Sequence, residues 1–193
     1  MFEFLGCPVA VEPAHMQAVV AVESAGNPFA VGVVGHYLNR QPRNVTEALA
    51  LVQELRSRGI NYSVGIAQVN KVNFAAYGLT DANLFDRCAN LNAGSRILAA
   101  CYAQHAAWDR AYSCYYSGNP RTGFSHGYVA KVQRHFNHGT VINVASARTD
   151  TDTPIQIFPK TTPAKKSGQG GSKTIAKKQS LLARRLSSSL ARK

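Results

Sequence analysis

Three short segments of this 193-residue chain carry side chains suited to acid/base chemistry: ESAGNP at 23–28, GIAQVN at 65–70 and YYSGN at 115–119. Glu23 lies at the end of a predicted apolar helix. Burial raises the pKa of a carboxyl group because desolvation disfavours its charge, and a tyrosine hydroxyl can hold the acid in place. Such a glutamate can donate a proton near neutral pH. Singly the segments are weak signals, but together they are specific.

This combination resembles the lysozyme-like soluble lytic transglycosylases. Their pattern joins an E-S pair near a helix end, a G-L-M-Q-like loop and an A-Y-N-A-G-like helix end. The variants seen here, together with GVVG at 32–35, are particularly similar to the transglycosylase subunits of type IV secretion systems. The resemblance covers roughly residues 7–136. It implies peptidoglycan glycan strands as substrate, type IV secretion subunits as partners, and a location in the periplasm or cell envelope.

The resemblance also implies roles for individual residues. Glu23 is the expected catalytic acid and base, and Tyr115 is the expected phenol in contact with it. The expected substrate-binding residues are Ser24, Gln68, Asn70, Tyr116 and Asn119. Two departures from the family pattern, Tyr116 in place of Asn and Ala67 in place of Met, indicate a reshaped sugar groove. Subsite preferences are therefore not transferred, and no cofactor is expected.

The implied reaction needs one carboxyl group. A glycosidic oxygen leaves readily only when protonated, and the N-acetyl group of muramic acid can stabilise the anomeric cation. Glu23 as carboxylate would then deprotonate the C6 hydroxyl, and O6 would bond to C1 of the muramic acid residue. The MurNAc-GlcNAc β-1,4 bond would thus be cut without water, and the product would carry a 1,6-anhydro ring.

Two other functions stay open. A muramidase would use the same Glu23 with water, but the candidates for a second carboxylate, Asp81 and Asp86, lie in a sequence typical of a turn and a helix cap. A non-catalytic assembly factor of the secretion machine would use the groove only to hold glycan.

The surrounding sequence predicts a mainly α fold with a small β element, and the resemblance implies that this fold is lysozyme-like. Apolar residues at helical spacing predict the helices, and Pro13 marks the start of the first helix while Gly59 marks the end of the second. The predicted helices cover 13–24, 45–59, 73–77, 88–105, 108–118 and 125–139. Extended segments are expected near 31–37 and 61–66, and the helix at 45–59 is an insertion relative to the family.

Four cysteines suit two disulfides in an oxidising compartment, although the count alone fits four buried thiols equally well. A helix over 88–105 would separate Cys88 from Cys101 by about 20 Å, whereas a disulfide needs Cα atoms within about 7 Å. Cys101 and Cys114 lie almost symmetrically about a predicted helix turn near 105–108, so the favoured pairs are Cys101 with Cys114 and Cys7 with Cys88. The histidines show no ligand spacing with the cysteines, so no metal site is expected.

The composition, with 45% hydrophobic and 17% charged residues, is that of a globular chain, and no transmembrane segment is expected. The net charge of +12 is uneven: residues 1–144 hold 11 Lys and Arg against 8 Asp and Glu, whereas 145–193 hold 11 against 2. This contrast predicts one domain over 1–144, which the resemblance implies is lysozyme-like, and a disordered basic tail over 145–193.

We expect the tail to contact anionic surfaces, its last segment becoming a basic amphipathic helix on a partner if it is not simply solvated. Phe158 is its only aromatic residue, so nucleic-acid binding would be weak and unselective. The first residues show no signal peptide, because a basic start and a long apolar run are both missing. A missing leader, an upstream start or another export machine would each account for this.

Overall fold

The computed structural model describes residues 2–149 and 153–160, and helices dominate it. They are α1 (Pro13–Glu23), α2 (Val45–Ser57), α3 (Arg87–His105), α4 (Trp108–Ser117), α5 (Thr122–Ser125) and α6 (Tyr128–His138). Two 3-10 turns, Lys71–Asn73 and Ala75–Tyr77, stand where the short helix at 73–77 was predicted. The prediction of a mainly α fold is confirmed.

The strands are short and antiparallel. They are β1 (Phe2–Phe4), β2 (Cys7–Val9), β3 (Val31–Val33), β4 (His36–Leu38), β5 (Tyr62–Val64), β6 (Val69–Asn70) and β7 (Ile157–Pro159). In the described part of the chain they form a β1-β2 hairpin, a three-stranded β3-β5-β6 sheet and a β4-β7 ribbon. The extended segments predicted near 31–37 and 61–66 correspond to β3, β4 and β5.

Local sequence sets the helix ends. Pro13 occupies the first turn of α1, where its missing N–H costs no hydrogen bond. Asn44 caps α2 by accepting a hydrogen bond from the Glu47 backbone N–H at 2.9 Å. Gly59 follows α2 at a φ of +65°, a left-handed conformation that favours glycine.

One apolar core joins the helices and sheets. Helix α3 packs on α4, and α1 packs on α6. The predicted apolar stripe of α2 is buried, and consists of Ala48, Leu51, Val52 and Leu55. Among the largest fully buried side chains, Met16, Val19 and Val20 belong to α1. This packing fixes the carboxyl end of α1, where Glu23 lies.

Disulfides join the cysteines in the two pairs that the helix geometry favours. Cys7–Cys88 links β2 to the first turn of α3, with Cα atoms 5.0 Å apart. Cys101–Cys114 links α3 to α4, with Cα atoms 5.8 Å apart. The second bond cross-links the helix pair directly beside the YYSGN segment.

Part of the predicted tail lies against the domain. The Ala145 N–H donates to Gly26 O, and Asn44 Nδ2 donates to Arg148 O. Strand β7 pairs with β4, and the Tyr37 and Phe158 rings stack at 5.2 Å. The ordered chain thus continues beyond residue 144, at which the domain was predicted to end. Residues 150–152 and 161–193 of the predicted tail lie outside the described residues.

No helix within 2–149 and 153–160 is long and apolar enough to cross a membrane. The same residues hold no group of three or more His, Cys, Asp or Glu side chains arranged to bind a metal ion.

Candidate active site

All three chemistry-bearing segments border one cleft of about 1000 Å³. Glu23 comes from the end of α1, Gln68 from the turn between β5 and β6, and Tyr115 from the last turns of α4. One wall of the cleft is built from strands and includes Val33, Val34 and Lys160, while helical segments with Tyr116, Asn119, Arg121 and His126 build the other.

The end of α1 is tied to the 65–70 loop. Ser24 closes the helix by donating its backbone N–H to Val20 O. Ala25 and Gly26 follow at φ values of 52° and 86°, which turn the chain away. The Ser24 hydroxyl donates to Ile66 O at 2.6 Å. Ser24, predicted to bind substrate, therefore joins two site segments and is not among the residues that line the cleft.

Glu23 is partly buried, with its carboxyl at the cleft. Burial raises the pKa of this carboxyl from its ordinary value of 4.5 to about 7, because few water molecules solvate its charge. A hydrogen bond from the Tyr128 hydroxyl to Glu23 Oε1, 2.6 Å long, acts in the opposite direction because it favours the charged form. A pKa near the operating pH lets one carboxyl group act both as acid and as base.

The phenol that contacts Glu23 belongs to Tyr128, whereas Tyr115 was expected in this place. The Tyr115 hydroxyl donates instead to Ala67 O. Tyr115 still lies close to the acid, since burial and the charge of Glu23 together raise its pKa well above the ordinary value. Tyr128 was missed because its segment reads only as an amphipathic helix, and two tyrosines converge on the end of α1 only in three dimensions.

Asn90 holds the 65–70 loop in place and was also missed. It is fully buried, and its Nδ2 donates to Val64 O and Leu84 O, both at 3.0 Å. Its Oδ1 accepts a hydrogen bond from the Ala67 N–H at 2.9 Å. The available signal was an asparagine on the buried face of the α3 pattern, where a polar side chain needs partners.

Gly94 allows α3 to approach this loop. A Cβ at position 94 would lie 2.6 Å from Ala67 Cβ and 3.0 Å from the Tyr115 hydroxyl. Neither distance leaves room for a side chain. The contact also gives a local reason for the small residue at position 67, where the family pattern has Met.

The other predicted substrate-binding residues line the cleft. The side chain of Gln68 is fixed because its Nε2 donates to Ala30 O and Gly65 O, both at 2.9 Å. Asn70 Nδ2 donates to Ser63 Oγ at 3.2 Å. The Asn119 side chain accepts from the backbone N–H of Thr122 and so shapes the rim. These contacts position the polar lining of the cleft.

Tyr116 forms an aromatic edge of the cleft. Its ring stacks on Tyr128 at 4.6 Å and is 41% exposed. Its hydroxyl lies 3.2 Å from His126 Nδ1. An exposed ring beside the acid offers a flat apolar surface of the kind on which a sugar ring can pack.

Glu23 is the one carboxylate among the described residues that line the cleft. Asp81 accepts hydrogen bonds from the Arg56 guanidinium, and Asp86 caps α3 by accepting from the Ala89 N–H at 2.7 Å. Both side chains have the turn and cap roles that their sequence indicates. Neither offers the second carboxylate of an ordinary glycosidase.

Comparison with known proteins adds to this geometry. The family described as the transglycosylase SLT domain matches residues 2–135. A type IV secretion system protein, virB1 of Brucella suis, is 43% identical over 167 residues, which is 79% of this chain. Protein virB1 of Agrobacterium fabrum is 31% identical over 136 residues, or 66% of this chain.

The chain spans 65% of the length of the Brucella suis relative and 55% of that of the Agrobacterium fabrum relative. No solved structure matches the chain at a comparable level of significance.

Proposed function

The chain belongs to the transglycosylase SLT domain family, and on this premise we propose that it is a peptidoglycan lytic transglycosylase with Glu23 as its catalytic residue. The observation that carries the proposal is a single carboxyl group with a pKa of about 7, open to the cleft and free of a carboxylate partner there. An acid that must also become a base within one turnover works best with a pKa near the operating pH.

In the proposed cycle Glu23 gives up one proton and takes another, so it ends in the protonated form in which it began. Glu23 in its protonated form donates to the glycosidic oxygen, and the C1–O bond breaks. The N-acetyl oxygen of the muramic acid residue stabilises the positive charge at C1. The Glu23 carboxylate then takes the proton of the C6 hydroxyl while O6 bonds to C1. The 1,6-anhydro product leaves, and Glu23 is protonated again.

The Tyr128 hydroxyl acts while Glu23 is deprotonated in this cycle. It donates to Glu23 Oε1 and therefore stabilises the carboxylate that exists between the two proton transfers. Without it, the burial that keeps Glu23 protonated would oppose release of the proton. Tyr128 is a positioning residue in this proposal.

The names of two relatives support a proposal about the wider role. Both are named virB1, and the Brucella protein is named as a type IV secretion system protein. We propose that this chain likewise acts in the periplasm, where it opens the glycan mesh locally for a type IV secretion or conjugation apparatus. Its partners would then be glycan strands and subunits of that apparatus.

Mass spectrometry of the soluble products released from purified peptidoglycan tests the activity. We expect 1,6-anhydro muropeptides. Reducing muropeptides would identify a muramidase, and binding without release would identify a glycan-holding assembly factor. Glu23→Gln keeps the shape of the side chain but cannot donate a proton, so its rate should fall at least about a hundredfold. A variant within tenfold of the native rate would refute the role of Glu23.

A further inference from the structure

The cleft is cationic apart from its catalytic acid. Arg121 and Lys160 both line it, and both are exposed. Within the described residues, neither side chain takes part in a salt bridge, while the arginines Arg40, Arg56 and Arg58 pair with acidic neighbours. Both cations line the space that the substrate would occupy, and neither has an acidic partner within 2–149 and 153–160.

Lys160 is held at the cleft by the β4-β7 ribbon. Ile157 pairs with Leu38 and Pro159 with His36, and the Lys160 N–H then donates to Gly35 O at 2.9 Å. The preceding residue, Val34, also lines the cleft. Lys160 lies beyond residues 2–135, so this cation comes from outside the region that matches the family.

Arg121 is fixed on the helical wall. Its backbone N–H donates to Asn119 Oδ1 at 3.1 Å, and the Thr122 N–H donates to the same oxygen at 2.9 Å. These two hydrogen bonds fix the backbone of Arg121 just before α5 begins. The two cations therefore come from two different walls of one cleft.

We propose that Arg121 and Lys160 bind carboxylates of the peptide stems that branch from the glycan strand. This inference rests on the proposed function, because it takes peptidoglycan as the substrate. In peptidoglycan the lactyl carboxyl of muramic acid is joined to the stem in an amide bond, so the glycan strand itself is uncharged. The free carboxylates lie on the stems that branch from the strand, and the two cations that line the same cleft as Glu23 match them in charge.

The test compares native peptidoglycan with peptidoglycan whose carboxylates have been converted to methylamides by carbodiimide and excess methylamine. Glycan and stem lengths stay the same while the negative charge is removed. The readout is the ratio of kcat/KM on the native material to that on the amidated material. We expect the unchanged protein to favour the native form by roughly twofold to fivefold for each cation.

Arg121→Gln and Lys160→Gln should each lower this ratio, and the double variant should bring it close to one. Lys131→Gln is the matched control, because Lys131 is exposed on α6 and outside the cleft lining. Added salt should lower the ratio of the unchanged protein toward that of the double variant.

A ratio of one for the unchanged protein, or variants that keep the native ratio, would overturn the inference. So would a fall in kcat/KM that is equal on both materials, since that indicates contact with the glycan or a structural role. If the protein cleaves neither material, the proposed activity is wrong. Sedimentation of the same variants with the two materials then still decides whether the cations bind stem carboxylates.

Discussion

The raised pKa of Glu23 has a cost in folding stability that can be measured without substrate. The carboxyl titrates near 4.5 in an unfolded chain and at about 7 in the folded protein. Below about pH 4.5 both states hold the proton. Between these values the unfolded state loses it first, so the free energy of unfolding falls as the pH rises. Above about pH 7 the loss is complete and amounts to about 3 kcal/mol, at about 1.4 kcal/mol per pKa unit.

Glu23→Gln should therefore stabilise the protein in a pH-dependent manner. Glutamine carries no charge to desolvate, and its amide oxygen can still accept the hydrogen bond from Tyr128. We expect equal stability near pH 4 and a variant more stable by about 3 kcal/mol near pH 8. Urea unfolding of both proteins, with the disulfides intact, measures the difference at several pH values.

Glu3→Gln is the control, because Glu3 is exposed in β1. Removal of a surface carboxylate there should change the free energy of unfolding by less than about 0.5 kcal/mol. If the Glu23→Gln protein gains the same stability at pH 4 and pH 8, or loses stability at pH 8, burial does not raise the pKa of Glu23 and the argument for the catalytic acid fails.

Three further predictions concern the residues around the acid. Tyr128→Phe should raise the pKa of Glu23, since the lost hydrogen bond favours the charged form, and should move the alkaline limb of the rate–pH profile up by about one pH unit. Asn90→Ala removes three buried hydrogen bonds, to Val64 O, to Leu84 O and from the Ala67 N–H, so urea unfolding should show a loss of about 3 kcal/mol or more. Gly94→Ala should push Ala67 and Tyr115 aside and lower kcat at least about tenfold, and Ala67→Gly in the same chain should restore part of it.

Each of these has its own contrary result. An unmoved pH profile in Tyr128→Phe would mean that its hydroxyl does not act on the acid. An Asn90→Ala protein within about 1 kcal/mol of the native stability would mean that the loop does not depend on that amide. Failure of Ala67→Gly to recover any activity in Gly94→Ala would place the cause elsewhere in α3.

Local patterns predicted the helices well because each carries its own signals. Helix α2 shows this, with Asn44 as its cap, a regular apolar stripe and Gly59 as its end. The β1-β2 hairpin was missed for the same reason. Its two-residue turn is made by Leu5 and Gly6, and leucine is not a residue that signals a left-handed turn position.

Contacts between distant segments could not be predicted in this way. Strand β7 lies in a sequence rich in Thr, Pro and Lys, and it becomes a strand only because β4 offers a partner. The choice between Tyr115 and Tyr128 as the partner of Glu23 depends on how α4 and α6 approach α1, which neither local spacing nor the family pattern determines.

The β4-β7 ribbon has a consequence for how a polymer enters the cleft. It closes a loop of about 120 residues with only three paired positions on each strand, and so short a ribbon is marginal without support. Its support comes from the Tyr37–Phe158 stack and from Arg40, which donates to Thr153 O while pairing with Glu47. We expect its amides to exchange with solvent well before those of the helical core. A rim that opens in this way, while the core stays folded, would leave the cleft accessible from the side, so that a long strand would not have to be threaded from an end.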